Sequence, residues 1–153
     1  MSELRSDLLF TLRISLHPLQ QLGTTPYGQR TICPVSGGVF EGARLSGNIL
    51  PHAGADCLLR RADGSFQQDV RMTLETDDGA LVLMTYRGVR YASAEVSAKI
   101  ARGEHVDRRE YYLRIAPFFE TGAERYLWLN HIVSVGVGER TPHGANYEVF
   151  QIL

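Results

Sequence analysis

Four short turn signals divide this chain into segments that alternate between apolar and polar residues, as β-strands do. Two of them are the Asp-Gly pairs Asp63-Gly64 and Asp78-Gly79, and the others are Thr121-Gly122 and His143-Gly144. Asp-Gly between alternating segments is a strong hairpin signal, because both central residues of a type I′ turn need a positive φ. The pattern therefore predicts strands joined mostly by tight turns, and hence an antiparallel sheet.

The strand segments are numerous enough to close the sheet on itself. With 153 residues, one domain over 1–153 is the expectation. Closure into a barrel removes the exposed edges of such a sheet. We predict an all-β, single-domain, closed antiparallel β-barrel of about 8–10 strands. The predicted strands are 8–16, 29–33, 38–50, 56–61, 66–76, 80–91, 109–118, 126–137 and 147–153.

One segment, 93–102, breaks the alternation. Ser93 suits a helix N-cap, Val96 and Ile100 lie four residues apart on one face, and Gly103 follows the end. The sequence predicts one short helix here, which covers one end of the barrel.

Composition excludes several classes of function. The formal charge is −1, from 16 basic and 17 acidic residues, so no broad surface for nucleic acid is expected. No apolar run approaches the roughly 20 residues that span a bilayer, so no membrane partner is expected. The first residues carry acids and no signal-peptide pattern, and Cys33 and Cys57 are the two cysteines. These features predict a cytoplasmic protein with reduced thiols.

Motifs for cofactors and metals are missing from the sequence. It contains no GxGxxG after a strand, no GxxxxGK[ST], no HExxH and no CxxC, and its five histidines lack metal-ligand spacing. We therefore predict no cofactor and no metal.

Strand alternation places several polar side chains beside aromatic ones. Asp69 and Arg71 share one face of their strand, opposite Val70. Tyr112 and Arg114 share a face in the same way, and so do Trp128 and Asn130 on the predicted strand 126–137. An apolar wall with a few convergent polar groups is typical of a small-molecule site. A solvent-facing surface with cross-strand aromatic pairs is the alternative.

These faces give a binding hypothesis. The barrel would bind a small aromatic or carboxylate-bearing metabolite in its cavity. Arginine suits a carboxylate, because its planar guanidinium donates two parallel hydrogen bonds. Trp128, Tyr86 and Phe119 would line the cavity, Arg71 and Arg114 would hold the anion, and Asn130 would orient a carbonyl or hydroxyl.

A second hypothesis makes the same barrel an enzyme without a cofactor, namely an isomerase, cyclase or lyase. Asp56 or Asp69 would be the general base, and Tyr86 or Tyr112 the acid. A third hypothesis is a structural or oligomerising barrel whose lumen is filled with Leu, Val and Met. A carboxylate that lies unpaired in the cavity would favour catalysis, and a salt-bridged one would favour binding alone. A homodimer is compatible with all three hypotheses.

The chain also resembles a known family over nearly its whole length, from Phe10 to Leu153. The family is the bacterial and fungal domain of unknown function 3237, also called uncharacterised protein family 0311. The resemblance implies a compact closed antiparallel β-barrel with an internal cavity, and it implies no particular activity. It rests on Gly38-Val39-Phe40-Glu41-Gly42, Leu45-Ser46-Gly47, Gly54-Ala55-Asp56, Asp69-Val70-Arg71, Thr76-Asp77-Asp78-Gly79-Ala80, Tyr86-Arg87-Gly88, Tyr112-Leu113-Arg114, Pro117-Phe118-Phe119-Glu120-Thr121-Gly122, Tyr126-Leu127-Trp128-Leu129-Asn130 and Val135-Gly136.

Overall fold

A computed structural model describes residues 2–52 and 54–153. Within them lie ten β-strands, one α-helix and two 3-10 helices. The strands are β1 (Ser6–Leu16), β2 (Gln20–Thr25), β3 (Gly28–Glu41), β4 (Ser46–Ile49), β5 (Ala55–Arg60), β6 (Phe66–Thr76), β7 (Leu81–Tyr91), β8 (Tyr112–Glu120), β9 (Ser134–Thr141) and β10 (Gly144–Ile152). The helices are α1 (Ala94–Ala101) and the 3-10 segments η1 (Arg108–Glu110) and η2 (Glu124–His131).

The strands form one closed antiparallel barrel with eight positions around its wall. From β1 the sheet runs through β10, β9, β8, β7 and β6. Both β4 and β5 pair with β6 on one side and with β3 on the other, so these two short strands share one position. The pairing of β3 with β1 closes the circuit. The predicted fold class is confirmed.

The tight turns differ from the predicted type. Gly64 donates its N–H to the carbonyl of Arg61, and Gly79 donates to Thr76 in the same way. A positive φ occurs at both glycines (86° each) but not at the aspartates before them. Type I turns that end in a left-handed glycine therefore replace the predicted type I′ turns.

The barrel is packed solid at one end. Phe10 lies 5.5 Å from Phe40 and 5.8 Å from Phe119, measured between ring centroids. Leu129 of η2 is fully buried against this cluster, so η2 closes this end of the barrel. This cluster forms part of the hydrophobic core of the barrel.

The helix α1 lies at the opposite, open end. Its N-cap is Ser93, whose Oγ accepts the Val96 N–H at 3.1 Å. No residue of α1 is buried, although Val96 and Ile100 pack partly against the core. The predicted helix at 93–102 is confirmed. None of the described helices is long and apolar enough to cross a membrane.

Several strand predictions are wrong in detail. The predicted break between 29–33 and 38–50 is absent, because β3 runs without interruption from Gly28 to Glu41, and the predicted strand 109–118 begins as the 3-10 helix η1. The predicted strand 126–137 is the 3-10 helix η2 followed by β9, because Tyr126 and Leu129 are buried at a three-residue spacing. The predicted strand 38–50 is interrupted at Gly42, where a bonded turn to Ser46 separates β3 from β4. The strand β2 was not predicted, since none of its residues is buried.

Candidate functional site

The open end of the barrel carries a row of inward-facing side chains from four neighbouring strands. Cys33 of β3 pairs with Asp56 of β5, Asp56 pairs with Val70 of β6, and Val70 pairs with Tyr86 of β7. Residues paired in register point to the same face of a sheet. The register therefore brings a carboxyl, a thiol and a phenol into one barrel interior.

These side chains line a cavity of about 90 Å³. An apolar cavity of roughly 150 Å³ can bind benzene, so this space admits a few non-hydrogen atoms and not a whole metabolite. It opens past Leu19 and Leu58 into a cleft of about 700 Å³ between β2, β5 and α1. A ligand could therefore place one small group inside and its larger part in the cleft.

Asp56 is the acidic residue of the cavity. Its Oδ1 accepts the backbone N–H of Asp69 at 3.0 Å. No Lys, Arg or His nitrogen among residues 2–52 and 54–153 lies within 4.0 Å of its carboxylate. Burial, helped by the charge of Asp69, raises the pKa of Asp56 from 3.8 to about 6. The carboxyl is thus unpaired and titrates close to neutrality, which is the condition stated above for catalysis.

Two phenols face each other across the same cavity. The ring centroids of Tyr86 and Tyr147 are 5.8 Å apart, and both rings are buried. Burial and the charge of Asp56 raise the pKa of each phenol above its usual value of 10. Both therefore stay protonated and able to donate a hydrogen bond.

Cys33 is a thiol and not a thiolate in this environment. Burial, together with the charge of Asp56, raises its pKa to about 12. A nucleophilic cysteine needs a lowered pKa. Cys33 therefore contributes a small, mostly apolar wall.

Arg90 and Arg140 lie at the throat, where the cavity meets the cleft. Arg90 of β7 is 7% exposed, and its guanidinium lies over the ring of Phe66, 4.2 Å from the ring centroid. Arg140 is the penultimate residue of β9 and is exposed. Burial and the charge of Arg140 lower the pKa of Arg90 to about 10, so Arg90 is charged at neutral pH.

Gln68 adds an unused acceptor to the cavity wall. The residue is 7% exposed, and its Oε1 is buried without a hydrogen-bond partner in the described chain. An orphaned buried acceptor is costly unless a ligand or water satisfies it. The side chain of Gln68 has room beside β7 because residue 88 is a glycine. A Cβ added at Gly88 would lie 2.9 Å from the Gln68 oxygen and 2.6 Å from Cγ2 of Ile115.

The polar faces predicted to line the cavity lie outside the barrel. Arg71 is exposed on the outer face of β6. Arg114 donates from Nη1 to the Leu113 carbonyl at 2.9 Å and lies 4.8 Å from the ring centroid of Tyr112, which is 51% exposed. Placing Arg71, Arg114 and Tyr112 at the cavity was wrong. The apolar partners on these strands, including Val70, take the interior.

Three other predicted ligand contacts also lie away from the cavity. Phe119 is inside the barrel, but it packs on Phe10 at the solid end. Trp128 lies under Arg44, whose guanidinium carbon is 3.4 Å from the ring centroid. Asn130 is exposed, and its amide exchanges hydrogen bonds of 2.9 Å with the backbone of Thr121. These residues stabilise the closed end.

Of the predicted site residues, Asp56 and Tyr86 meet at the cavity. Asp69 faces outward and contributes through its backbone N–H. Sequence reasoning missed Gln68, Arg90, Arg140 and Tyr147. The two-residue alternation of the strands could have found two of them. Gln68 lies two residues before the inward-facing Val70, and Arg90 lies four residues after the inward-facing Tyr86. In the described part of the chain, no group of three or more His, Cys, Asp or Glu side chains could hold a metal ion.

Comparison with known proteins gives a consistent family and fold. A family model described as "Protein of unknown function (DUF3237)" matches residues 5–152. A UPF0311 protein of Rhodopseudomonas palustris is 34% identical over 150 residues, covering 98% of this chain and 97% of that protein. A crystal structure of a conserved protein of unknown function from the same species superimposes with a TM-score of 0.95, 33% identity and full coverage of both chains.

Two further similarities bear on fold and chemistry. A β-barrel-like protein of Acinetobacter baumannii has a TM-score of 0.87 and 37% identity, over 100% of this chain and 98% of that one. A more distant relative, 24% identical over 130 residues, is named a hydroalkoxylation enzyme of Penicillium herquei. That alignment covers 85% of this chain and 71% of the fungal protein.

Proposed function

This chain belongs to the DUF3237 family. We propose that it is a cofactor-independent enzyme that moves a proton within a small unsaturated substrate. The observation that carries the proposal is the unpaired carboxyl of Asp56, enclosed beside two protonated phenols. A base and a hydrogen-bond donor suffice for isomerisation, for cyclisation or for elimination.

Hydroalkoxylation, the activity named for the fungal relative, suits such a site. It adds an alcohol O–H across a C=C bond. In the proposed reaction, the Asp56 carboxylate takes the hydroxyl proton of the substrate while the oxygen bonds to one alkene carbon. The π electrons form a new C–H bond at the other carbon with the proton that Asp56 returns. No atom or electron is left over.

The phenols have a different part in this reaction. Their raised pKa values keep Tyr86 and Tyr147 protonated, so they hold and polarise a substrate oxygen by hydrogen bonding. The unused Gln68 acceptor would take a hydrogen bond from the substrate. The small cavity confines the reacting atoms beside Asp56 and limits their contact with water.

The binding-only hypothesis becomes the second candidate, because a carrier has no need for an unpaired carboxyl. The hypothesis of a structural barrel requires a lumen filled with apolar side chains. Only one end of the barrel is filled in this way, whereas the end that contains Asp56 has a cavity. We also propose a cytoplasmic location, which the two free cysteines Cys33 and Cys57 support. The homodimer stays a prediction.

Turnover in D₂O tests the proposal. The probes are ortho-alkenylphenols and hydroxy-substituted enones, and NMR follows the cyclic ether and the deuterium at its new C–H position. We expect wild-type protein to form deuterated product, Asp56→Asn to lose at least about a hundredfold in rate, and Tyr86→Phe to lose less. Asp77→Asn is the matched control, since Asp77 is exposed in a turn. Equal rates for Asp56→Asn and wild type would overturn the assignment.

A further inference from the structure

We propose that the substrate is an amphipathic monocarboxylate, and that Arg90 and Arg140 bind its carboxylate at the throat between the cavity and the cleft. The identification of this ligand as a substrate rests on the proposed function. The binding itself concerns two arginines that take no part in the proton transfer at Asp56.

Arg90 is a buried cation without an ion-paired carboxylate in the described chain. It is 7% exposed, and no carboxylate within residues 2–52 and 54–153 comes within 4.0 Å of its nitrogens. A buried charge normally has a hydrogen-bonded partner of opposite sign, because desolvation is expensive. Phe66 covers the guanidinium face. Stacking leaves the N–H groups, which lie in the guanidinium plane, free to bind two carboxylate oxygens.

Arg140 places a second positive charge at the same throat. Both arginines line the inner cavity and the outer cleft, and the charge of each opposes that of the other. No carboxylate of residues 2–52 and 54–153 lies within 4.0 Å of either guanidinium, and two like charges held together in this way are a feature of anion sites. The outward-facing Arg114, by contrast, bonds the backbone and covers a tyrosine ring.

Charge balance selects a monoanion. The two guanidinium groups and the ionised Asp56 leave one positive charge at the site. A carboxylate neutralises it, whereas a phosphate dianion would leave an uncompensated negative charge in a poorly solvated space. The planar carboxylate also matches the guanidinium fork.

The walls of the cleft select an apolar body for this anion. Leu19, Leu58, Phe66 and Ile100 form the apolar part of the cleft lining, which also includes polar and charged side chains such as Gln29, Arg60 and Asp63. An aromatic or branched aliphatic group would bury apolar area there. The cavity of about 90 Å³ behind the throat would take the small reacting segment. The inferred ligand therefore has an apolar body, one carboxylate and a short unsaturated segment.

Cinnamate and cinnamamide test this inference, because they differ in charge and hardly in shape. Titration is followed by the Nε–Hε NMR signals of the arginines and by calorimetry. We expect cinnamate to bind wild-type protein at least about tenfold more tightly than cinnamamide. Arg90→Gln and Arg140→Gln should each lose about tenfold or more in cinnamate affinity, and Arg114→Gln should bind like wild type. Arg140 is exposed, so its substitution leaves the fold intact even if Arg90→Gln does not.

Asp56→Asn separates the two proposals. It removes the base but keeps both arginines, so it should still bind cinnamate at least as tightly as wild type. Cinnamate binding without turnover of any probe would support the anion site while overturning the proposed reaction. Equal affinity for acid and amide, binding unchanged in both throat variants, or no cinnamate binding at millimolar concentration would overturn the anion site.

Discussion

Replacing Asp56 with asparagine should stabilise the protein while it removes the proposed base. Burial raises the pKa of Asp56 from 3.8 to about 6, so the folded protein holds the ionised form at a cost. Each pKa unit corresponds to roughly 1.4 kcal/mol, and the difference therefore costs about 3 kcal/mol of unfolding free energy at neutral pH. The amide oxygen of the introduced asparagine could still accept the backbone N–H of Asp69, so the variant should avoid this cost.

The sign of the effect fixes its pH dependence. Below pH 3.8 the carboxyl is protonated in both the folded and the unfolded chain, and the substitution should change little. Between pH 3.8 and about 6 the folded state binds more protons, so this group makes the wild type less stable as the pH rises. The advantage of Asp56→Asn should therefore grow from near zero at acid pH to about 3 kcal/mol above neutrality.

Urea unfolding of the two proteins from acid to neutral pH measures this difference. At neutral pH the midpoint temperature of Asp56→Asn should also rise by about 6–12 °C for a chain of this size. Asp77→Asn is the control for charge, because Asp77 is exposed in a turn. A stability difference that does not vary with pH, or a destabilised variant, would refute the reasoning about burial.

The remaining predictions concern packing, the outer face and rate. Gly88→Ala should destabilise the fold by about 1–3 kcal/mol in urea unfolding, since the new Cβ would crowd Ile115 and Gln68; an unchanged midpoint would contradict this. Phe119→Ala should cost about 3–5 kcal/mol while the pKa of Asp56 measured by NMR stays the same, because Phe119 belongs to the solid end. Arg114→Gln should change the unfolding free energy by less than about 0.5 kcal/mol, and a larger loss would show that the outer-face contact matters. With a turned-over probe, kcat/KM should rise about tenfold per pH unit below pH 6 and level off above it, whereas a fall through pH 6 would make Asp56 the acid.

The alternation of apolar residues was sufficient to predict the barrel. On β6 and β7 the inward faces follow the two-residue period without interruption, and Tyr86, which was predicted to line the cavity, lies on the inward face of β7. The two-residue period gave a wrong prediction where the chain leaves the sheet. Residues 124–131 contain aromatic and aliphatic side chains typical of strands, but they fold as a 3-10 helix over the barrel end.

The site could be predicted only in part, because its polar residues come from distant segments. Asp56 was a candidate, but the sequence could not show that it lies unpaired or that Tyr147 of the last strand faces Tyr86. Arg71 and Arg114 were favoured because they adjoin aromatic or acidic residues. Arg90 was overlooked. It continues the buried face of β7, but a charged residue near the end of a strand is usually exposed to solvent.

The carboxyl ¹³C titration of Asp56 tests whether the barrel encloses an unpaired base that titrates near neutrality. Protein labelled at its aspartate carboxyl carbons is titrated by NMR, and the spectrum of Asp56→Asn identifies the signal. We expect a pKa of about 6 for this carboxyl. A pKa at or below the ordinary 3.8 would mean that Asp56 is solvated or paired, and it would contradict the proposed role.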